Sequence, residues 1–178
     1  MEKLTHQELI TRQAAKKSAK LPICALLNNI RSIHNVGSIF RTADGAGLEK
    51  LWLCGITPIP PSLQLTKTAL GAEKIVPWEY RQNAKVCIEE LKNQGYEIVA
   101  LEQTRQSIPH NEFRSQRPVC LIVGNEIGGV GDELVPLCDT SLEIEMRGVK
   151  NSLNVSVAFG IVAYYLVSQY KSRAGLQI

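Results

Sequence analysis

Two hydrophobic rhythms alternate along this chain. Short unbroken apolar runs read as buried strands: ICALL at 23–27, KLWLCG at 50–55, KIVPW at 74–78, EIVALEQ at 97–103, VCLIVG at 119–124 and SLEIEM at 141–146. Between them, apolar positions recur at helical spacing. VGSIFRTADGAG at 36–47 predicts a helix ended by glycine, and 62–70 a shorter one beyond the proline-rich loop ITPIPPS. Residues 81–94 predict an amphipathic helix in which Val86, Ile88 and Leu91 cluster while Glu89, Glu90 and Lys92 stay wet. GDELVPLCD at 131–139 predicts a short helix flawed by Pro136, and 152–170 the last and most apolar helix. At the start, 5–20 predicts a basic helix outside the core. Thr5 and Glu8 stand at capping-box spacing, and Pro22 breaks the pattern.

Strands alternating with helices, with nearly continuous apolar strands, predict an α/β fold: a mostly parallel sheet flanked by helices. Ligands in such sheets bind at the carboxyl ends of strands. The loops after Leu27, Leu101, Gly124 and Met146 are therefore the places to search.

Composition narrows this little. The 178 residues are 44% hydrophobic and 21% charged, as in an ordinary soluble domain. The longest apolar stretch, 155–167, is interrupted by Ser156 and Gly160 and is shorter than the roughly 20 residues that span a bilayer. The first residues show no basic-then-apolar leader, so a cytoplasmic location is expected. Cys24, Cys54, Cys87, Cys120 and Cys138 are scattered without a CxxC pair, which predicts buried thiols and no zinc or other metal site. The net charge of +3 is mild but uneven. Arg12, Lys16, Lys17 and Lys20 crowd the start, and Arg147 and Lys150 stand just before the last helix. A solvated face explains such clusters more often than an anionic partner does.

Three stretches carry candidate chemistry. LIVGNEIGGVGDEL follows a strand with a glycine-rich turn that contains Glu126. It is neither a P-loop nor a dinucleotide fingerprint, so nucleoside triphosphate and nicotinamide chemistry are poorly supported. LLNNIRSIHNVGSIFRTADGAG places Asn35 and Arg41 just beyond another strand. An arginine on an apolar helix either lies at the surface or meets an acceptor such as phosphate. MRGVKNSLNVSVAFGIVAYYL opens an apolar helix with Asn151, Ser152, Asn154 and Ser156. Ser152 is a fair N-cap, with Asn151 as an alternative. Capping then leaves Asn154 unexplained. No second His or Cys stands where a nucleophilic triad needs one.

Together, HNVGSIFRTADGAG, LIVGNEIGGVGDEL and LEIEMRGVKNSLNVSVAFGIVAYYL resemble, in order and spacing, the three signature motifs of the SpoU (TrmH) family. These are RNA 2′-O-ribose methyltransferases of the SPOUT superfamily. The resemblance covers about 21–170. It implies a deep trefoil knot at the carboxyl end, S-adenosylmethionine bound there, and a homodimer with each site near the subunit interface. It implies catalytic roles for Asn35, Arg41, Glu126, Ser152 and Asn154, and a cofactor cradle at Leu101, Gly124, Ile144, Met146 and Leu153. Lys16, Lys17, Lys20, Arg147 and Lys150 become candidates for contacts to the RNA backbone. The substrate implied is transfer or ribosomal RNA, with transfer RNA favoured, because only a short basic extension at 1–20 precedes the methyltransferase domain at 21–178. A non-catalytic RNA-binding or assembly factor, or a knotted base methyltransferase, is the alternative. Where many members carry Asp-Pro before the first-motif asparagine, this chain has Ile33-His34, which leaves the subfamily open.

Overall fold

The computed structural model describes residues 2–15 and 20–173. Its first helix, α1 (His6–Ala15), starts as the capping box requires: the Thr5 N–H donates to Glu8 Oε2 at 2.7 Å, and the Glu8 N–H to Thr5 Oγ1 at 3.3 Å. Residues 2–12 are exposed throughout. The remaining elements, in chain order, are β1 (Leu21–Asn28), α2 (Ile33–Ala46), β2 (Leu48–Cys54), α3 (Leu63–Ala69), β3 (Trp78–Arg81), α4 (Ala84–Asn93), β4 (Glu97–Leu101), β5 (Ile108–Pro109), β6 (Val119–Val123), β7 (Thr140–Glu143) and α5 (Val155–Arg173).

The seven strands form one sheet in the order β3-β2-β1-β6-β4-β7-β5, and every pairing is parallel. Successive side chains on a strand face opposite ways, and β1 shows what that does here. Ile23, Ala25 and Leu27 join Val36, Ile39 and Phe40 of α2 and Phe159 and Val162 of α5 on one face. Cys24 and Leu26 join Cys87, Ile88 and Leu91 of α4 on the other. Burial on both faces explains why the strands read as continuous apolar runs. The expectation for the cysteines also fits. Cys24, Cys54, Cys87 and Cys120 are buried free thiols and Cys138 is half-buried. Hydrogen bonding with Cys24, together with burial, holds the Cys120 thiol protonated.

Several boundaries differ from the pattern-based expectation, each for a physical reason. Helix α2 begins at Ile33, three residues early, because Ser32 caps it by accepting from the Asn35 N–H at 3.3 Å. The segment 74–78 is not a strand: a 3-10 turn occupies Ala72–Lys74, and β3 follows Pro77, whose carbonyl accepts from Leu51 N–H. The helix expected over 131–139 shrinks to a 3-10 turn at Val135–Leu137, since Pro136 has no N–H to give. On α4 the buried face is Ala84, Cys87, Ile88 and Leu91, and Val86 is 46% exposed. The two-residue edge strand β5 was too short to leave a pattern. Among the described residues no helix is long and apolar enough to cross a membrane.

Candidate active site

Sequence neighbours β1 and β2 run outward to β3, and α4 then carries the chain to the far side of β6, where β4 and β7 lie. The loops leaving β4, β6 and β7 gather at the carboxyl end of the sheet, where an α/β fold accepts ligands. They enclose a cavity of about 1180 Å³.

The loop after β6 is a tight turn built by Asn125. Its backbone exchanges two hydrogen bonds with Gly129 (2.9 and 2.8 Å), and its Oδ1 accepts from Ile127 and Gly128 N–H (2.9 and 3.0 Å). Gly129 has φ of +64°, and a β-carbon there would lie 2.0 Å from Glu102 Oε2. That carboxylate oxygen is needed where it is, because it accepts the Val130 N–H at 2.8 Å. A β-carbon on Gly124 would lie 2.0 Å from the Gly129 carbonyl oxygen. Gly124 and Gly129 of the second motif are thus required by close approach of the chain to itself.

This turn holds Glu126 against the amino end of α2. Arg31 N–H donates to Oε2 at 2.9 Å, and Ser32 N–H and Asn35 Nδ2 donate to Oε1 at 3.0 and 2.9 Å. Free N–H groups and the helix dipole favour a carboxylate at that position. Burial alone would raise the Glu126 carboxyl, but the donors from Arg31, Asn35 and Ser32 outweigh it and hold the group below the ordinary value.

The chain of hydrogen bonds continues into the third motif. Asn154 Nδ2 donates to Asn35 Oδ1 at 3.1 Å, and Asn154 Oδ1 accepts from Ser156 N–H at 2.9 Å and from Ser156 Oγ at 2.7 Å. Both amide orientations are dictated by the ends of this chain. Ionised Glu126 can only accept and the Ser156 N–H can only donate, so Asn35 and Asn154 each have one allowed orientation. Asn154 is therefore the cap of α5, its carbonyl also accepting from Val157 and Ala158 N–H. This corrects the reading that Ser152 caps the helix: α5 begins at Val155, and Ser152 lies in the preceding loop, exposed, on the cavity wall. The residue left over by sequence reasoning is the cap and also the bridge.

The sequence profile of the SpoU rRNA Methylase family matches residues 22–164. The tRNA (guanosine(18)-2′-O)-methyltransferase of Aquifex aeolicus is 33% identical over 153 residues, 86% of this chain and 72% of that protein. A crystal structure of an A. aeolicus TrmH/SpoU tRNA modifying enzyme superposes with a TM-score of 0.82 at 29% identity, covering 96% of this chain and 86% of that one. An AdoMet-bound rRNA methyltransferase from Sinorhizobium meliloti gives a TM-score of 0.77 at 28% identity, over 88% of this chain and 57% of that one. The chain belongs to the SpoU family.

In this SpoU-family chain the expected residues divide. Leu101, Gly124, Ile144, Met146 and Leu153 all line the cavity, with Glu126, Ser152 and Asn154. Asn35 stands one hydrogen bond behind the wall, on Glu126. Arg41 does not join them. Six residues along α2 place it about 9 Å beyond Asn35 and roughly 120° around the helix. It is exposed and has no polar partner among the described residues. Of the expected RNA contacts, Lys16 and Lys17 lie outside the described residues. Lys20 and Lys150 are exposed, and Arg147 Nη2 meets Glu145 Oε2 of its own loop at 3.1 Å, both side chains mostly in solvent. Such a pair is worth little and opens easily to another anion. Three participants escaped the sequence reading: Asn125, Glu102 and Gln103, whose Nε2 donates to Asn151 carbonyl at 2.6 Å and ties the β4 loop to the third motif. Their signal was position, since each lies within two residues of a strand end singled out above. Among the described residues no group of three His, Cys, Asp or Glu side chains gathers as a metal site would require.

Proposed function

We propose that this chain transfers a methyl group from S-adenosylmethionine to a ribose 2′-hydroxyl of RNA. The observation that carries the reading is the unbroken chain Glu126–Asn35–Asn154, which joins all three motifs beside the cavity. The cavity suits the methyl donor: Leu101, Val123, Leu142, Ile144 and Leu153 offer apolar surface for a purine, and the main chain of three loops offers hydrogen bonds.

When bound, S-adenosylmethionine supplies a methyl group already activated on a positive sulfur. The chain must align the hydroxyl and stabilise the negative charge that grows on its oxygen as its proton passes to the neighbouring phosphate or to water. Glu126 orders the first-motif loop, and Asn35 and Asn154 hold the α2 and α5 ends in register around the sugar. Ser152, on the wall, hydrogen-bonds the donor's loop or the ribose. The forked guanidinium of Arg41 suits an oxyanion, so its part is to hold the neighbouring phosphate and stabilise the alkoxide.

Arg41 is not on the cavity wall of its own chain, so a second copy delivers it. A homodimer built on α5 supports this: Val157, Ile161 and Tyr164 form an exposed apolar stripe at helical spacing, 51%, 39% and 51% accessible, beside the Asn154 cap. The likeness to TrmH/SpoU structures supports the deep trefoil knot, with the loops after β4, β6 and β7 gathered around one cavity. Residues 1–20, with Lys20, Arg147 and Lys150, serve the RNA backbone, and binding through them weakens with salt. The name of the Aquifex relative favours transfer RNA and, with it, a cytoplasmic reaction.

The test is a comparison of nucleoside mass spectra of RNA from cells with and without the gene, followed by restoration with the purified protein and S-adenosylmethionine. A single 2′-O-methyl nucleoside missing from the deletion strain and restored in vitro is expected. A missing base-methylated nucleoside, or no change, would overturn the reading.

A further inference from the structure

A second cavity, of about 570 Å³, opens at the same end of the sheet, beyond β1, β2 and β3. Its volume is that of an ordinary small-molecule site. Its lining is unusual in chemistry: four carboxamides, Asn28, Asn29, Gln82 and Asn83, with one cation, Lys85, and one anion, Glu133.

Asn28 is the feature that asks for a ligand. It continues the row of β1 that faces α4, it is only 4% exposed, and its carboxamide has no hydrogen-bond partner among the described residues. Its amide is not sealed in the core but reaches the cavity, where its donor and acceptor are available to a ligand. Around it, Asn29 uses Oδ1 to accept from Ile56 N–H (3.1 Å) and Asn83 uses Oδ1 to cap α4 at Lys85 N–H (2.9 Å), so both keep their NH₂ groups free. Gln82 keeps its whole amide.

The set offers donors and acceptors in a space whose two charges offset one another. A phosphate would meet Glu133, and a cation would meet Lys85. A flat neutral molecule with donors and acceptors on one edge satisfies every group, and a nucleobase is such a molecule. Asn and Gln side chains pair bidentately with base edges, and sequence-specific RNA recognition commonly takes an unstacked base in this way. The position agrees. Asn125, which builds the Glu126 turn, donates Nδ2 to the Asn29 carbonyl at 2.8 Å, so one turn separates the two cavities.

We propose that this second cavity receives an unstacked base of the RNA substrate and reads its edge through Asn28 and Gln82, so that it helps to set which ribose is methylated. The inference rests on RNA as the substrate. The experiment uses the full chain, saturating S-adenosylmethionine, and the small RNA of a strain lacking the gene. Gln82→Ala, exposed and outside the core, and Asn28→Asp, which keeps the shape but exchanges a donor for an acceptor, are compared with the wild type. Each variant is expected to raise KM for RNA about tenfold or more, and to relax the sequence around the methylated ribose. Calorimetric affinity for S-adenosylmethionine stays unchanged, which shows an intact main cavity. KM within twofold of wild type for Gln82→Ala would overturn the proposal even if Asn28→Asp folds poorly. A raised KM with unaltered sequence preference would mean a backbone contact and would also overturn it. A wild type that methylates no RNA in the pool overturns the methyltransferase reading itself and this inference with it.

Discussion

Asn154 carries two duties that substitution can separate. Its Oδ1 caps α5 and its Nδ2 orients Asn35. Asn154→Asp keeps the cap acceptor but sets a carboxylate oxygen against Asn35 Oδ1. Thermal melting should show nearly wild-type stability, and methylation should fall at least tenfold, about 1.4 kcal/mol of lost transition-state stabilisation. Asn154→Ala loses both duties and should also cost about 1 kcal/mol of stability. Wild-type activity in both variants, with only the alanine destabilised, would reduce Asn154 to a cap. Glu126 makes a second residue-scale prediction. Its folded-state pKa lies below the ordinary 4.5, so its contribution to stability is complete above that value and is lost as pH falls through the folded pKa. Denaturant titrations of wild type and Glu126→Gln should therefore differ at pH 7 and converge below about pH 4.5.

At the scale of elements, the β6 turn is the most constrained piece of the molecule. Gly129→Ala puts a methyl group at positive φ and against the Glu102 carboxylate. It should cost on the order of 1–3 kcal/mol and weaken S-adenosylmethionine binding, both measurable by melting and calorimetry; unaltered binding would show that the turn is scaffold alone. Most elements were legible because burial on both faces leaves an unmistakable apolar run, as in β1 and β6. The misplacements fall where a single group decides: the Ser32 hydroxyl that starts α2 early, and Pro136, which stops a helix. The Ser152 error is of the same kind. Two residues with capping side chains stand two apart, and only the partner across the fold, Asn35, selects Asn154.

At the scale of the whole molecule, the prediction concerns pairing. If Arg41 serves the neighbour's cavity, Arg41→Ala and Glu126→Gln homodimers should both be inactive. Their mixture should recover about a quarter of wild-type activity, since half the dimers are mixed and each has one intact site. A mixture as inactive as its parents would return Arg41 to its own chain or to no role.

By itself the sequence determined the layering and pointed to most of the residues that line or adjoin the cavity. Apolar periodicity reports burial directly, and the ends of parallel strands mark where such loops gather. Only the tertiary structure decided how they connect. The hydrogen bonds that Asn35 donates to Glu126 and accepts from Asn154 join residues 91 and 119 positions apart. The unpartnered amide of Asn28 and the exclusion of Arg41 from its own cavity also exist only once the strands are ordered. Pairings at that range are set by sheet order and by which loop faces which, and no local pattern of side chains encodes them.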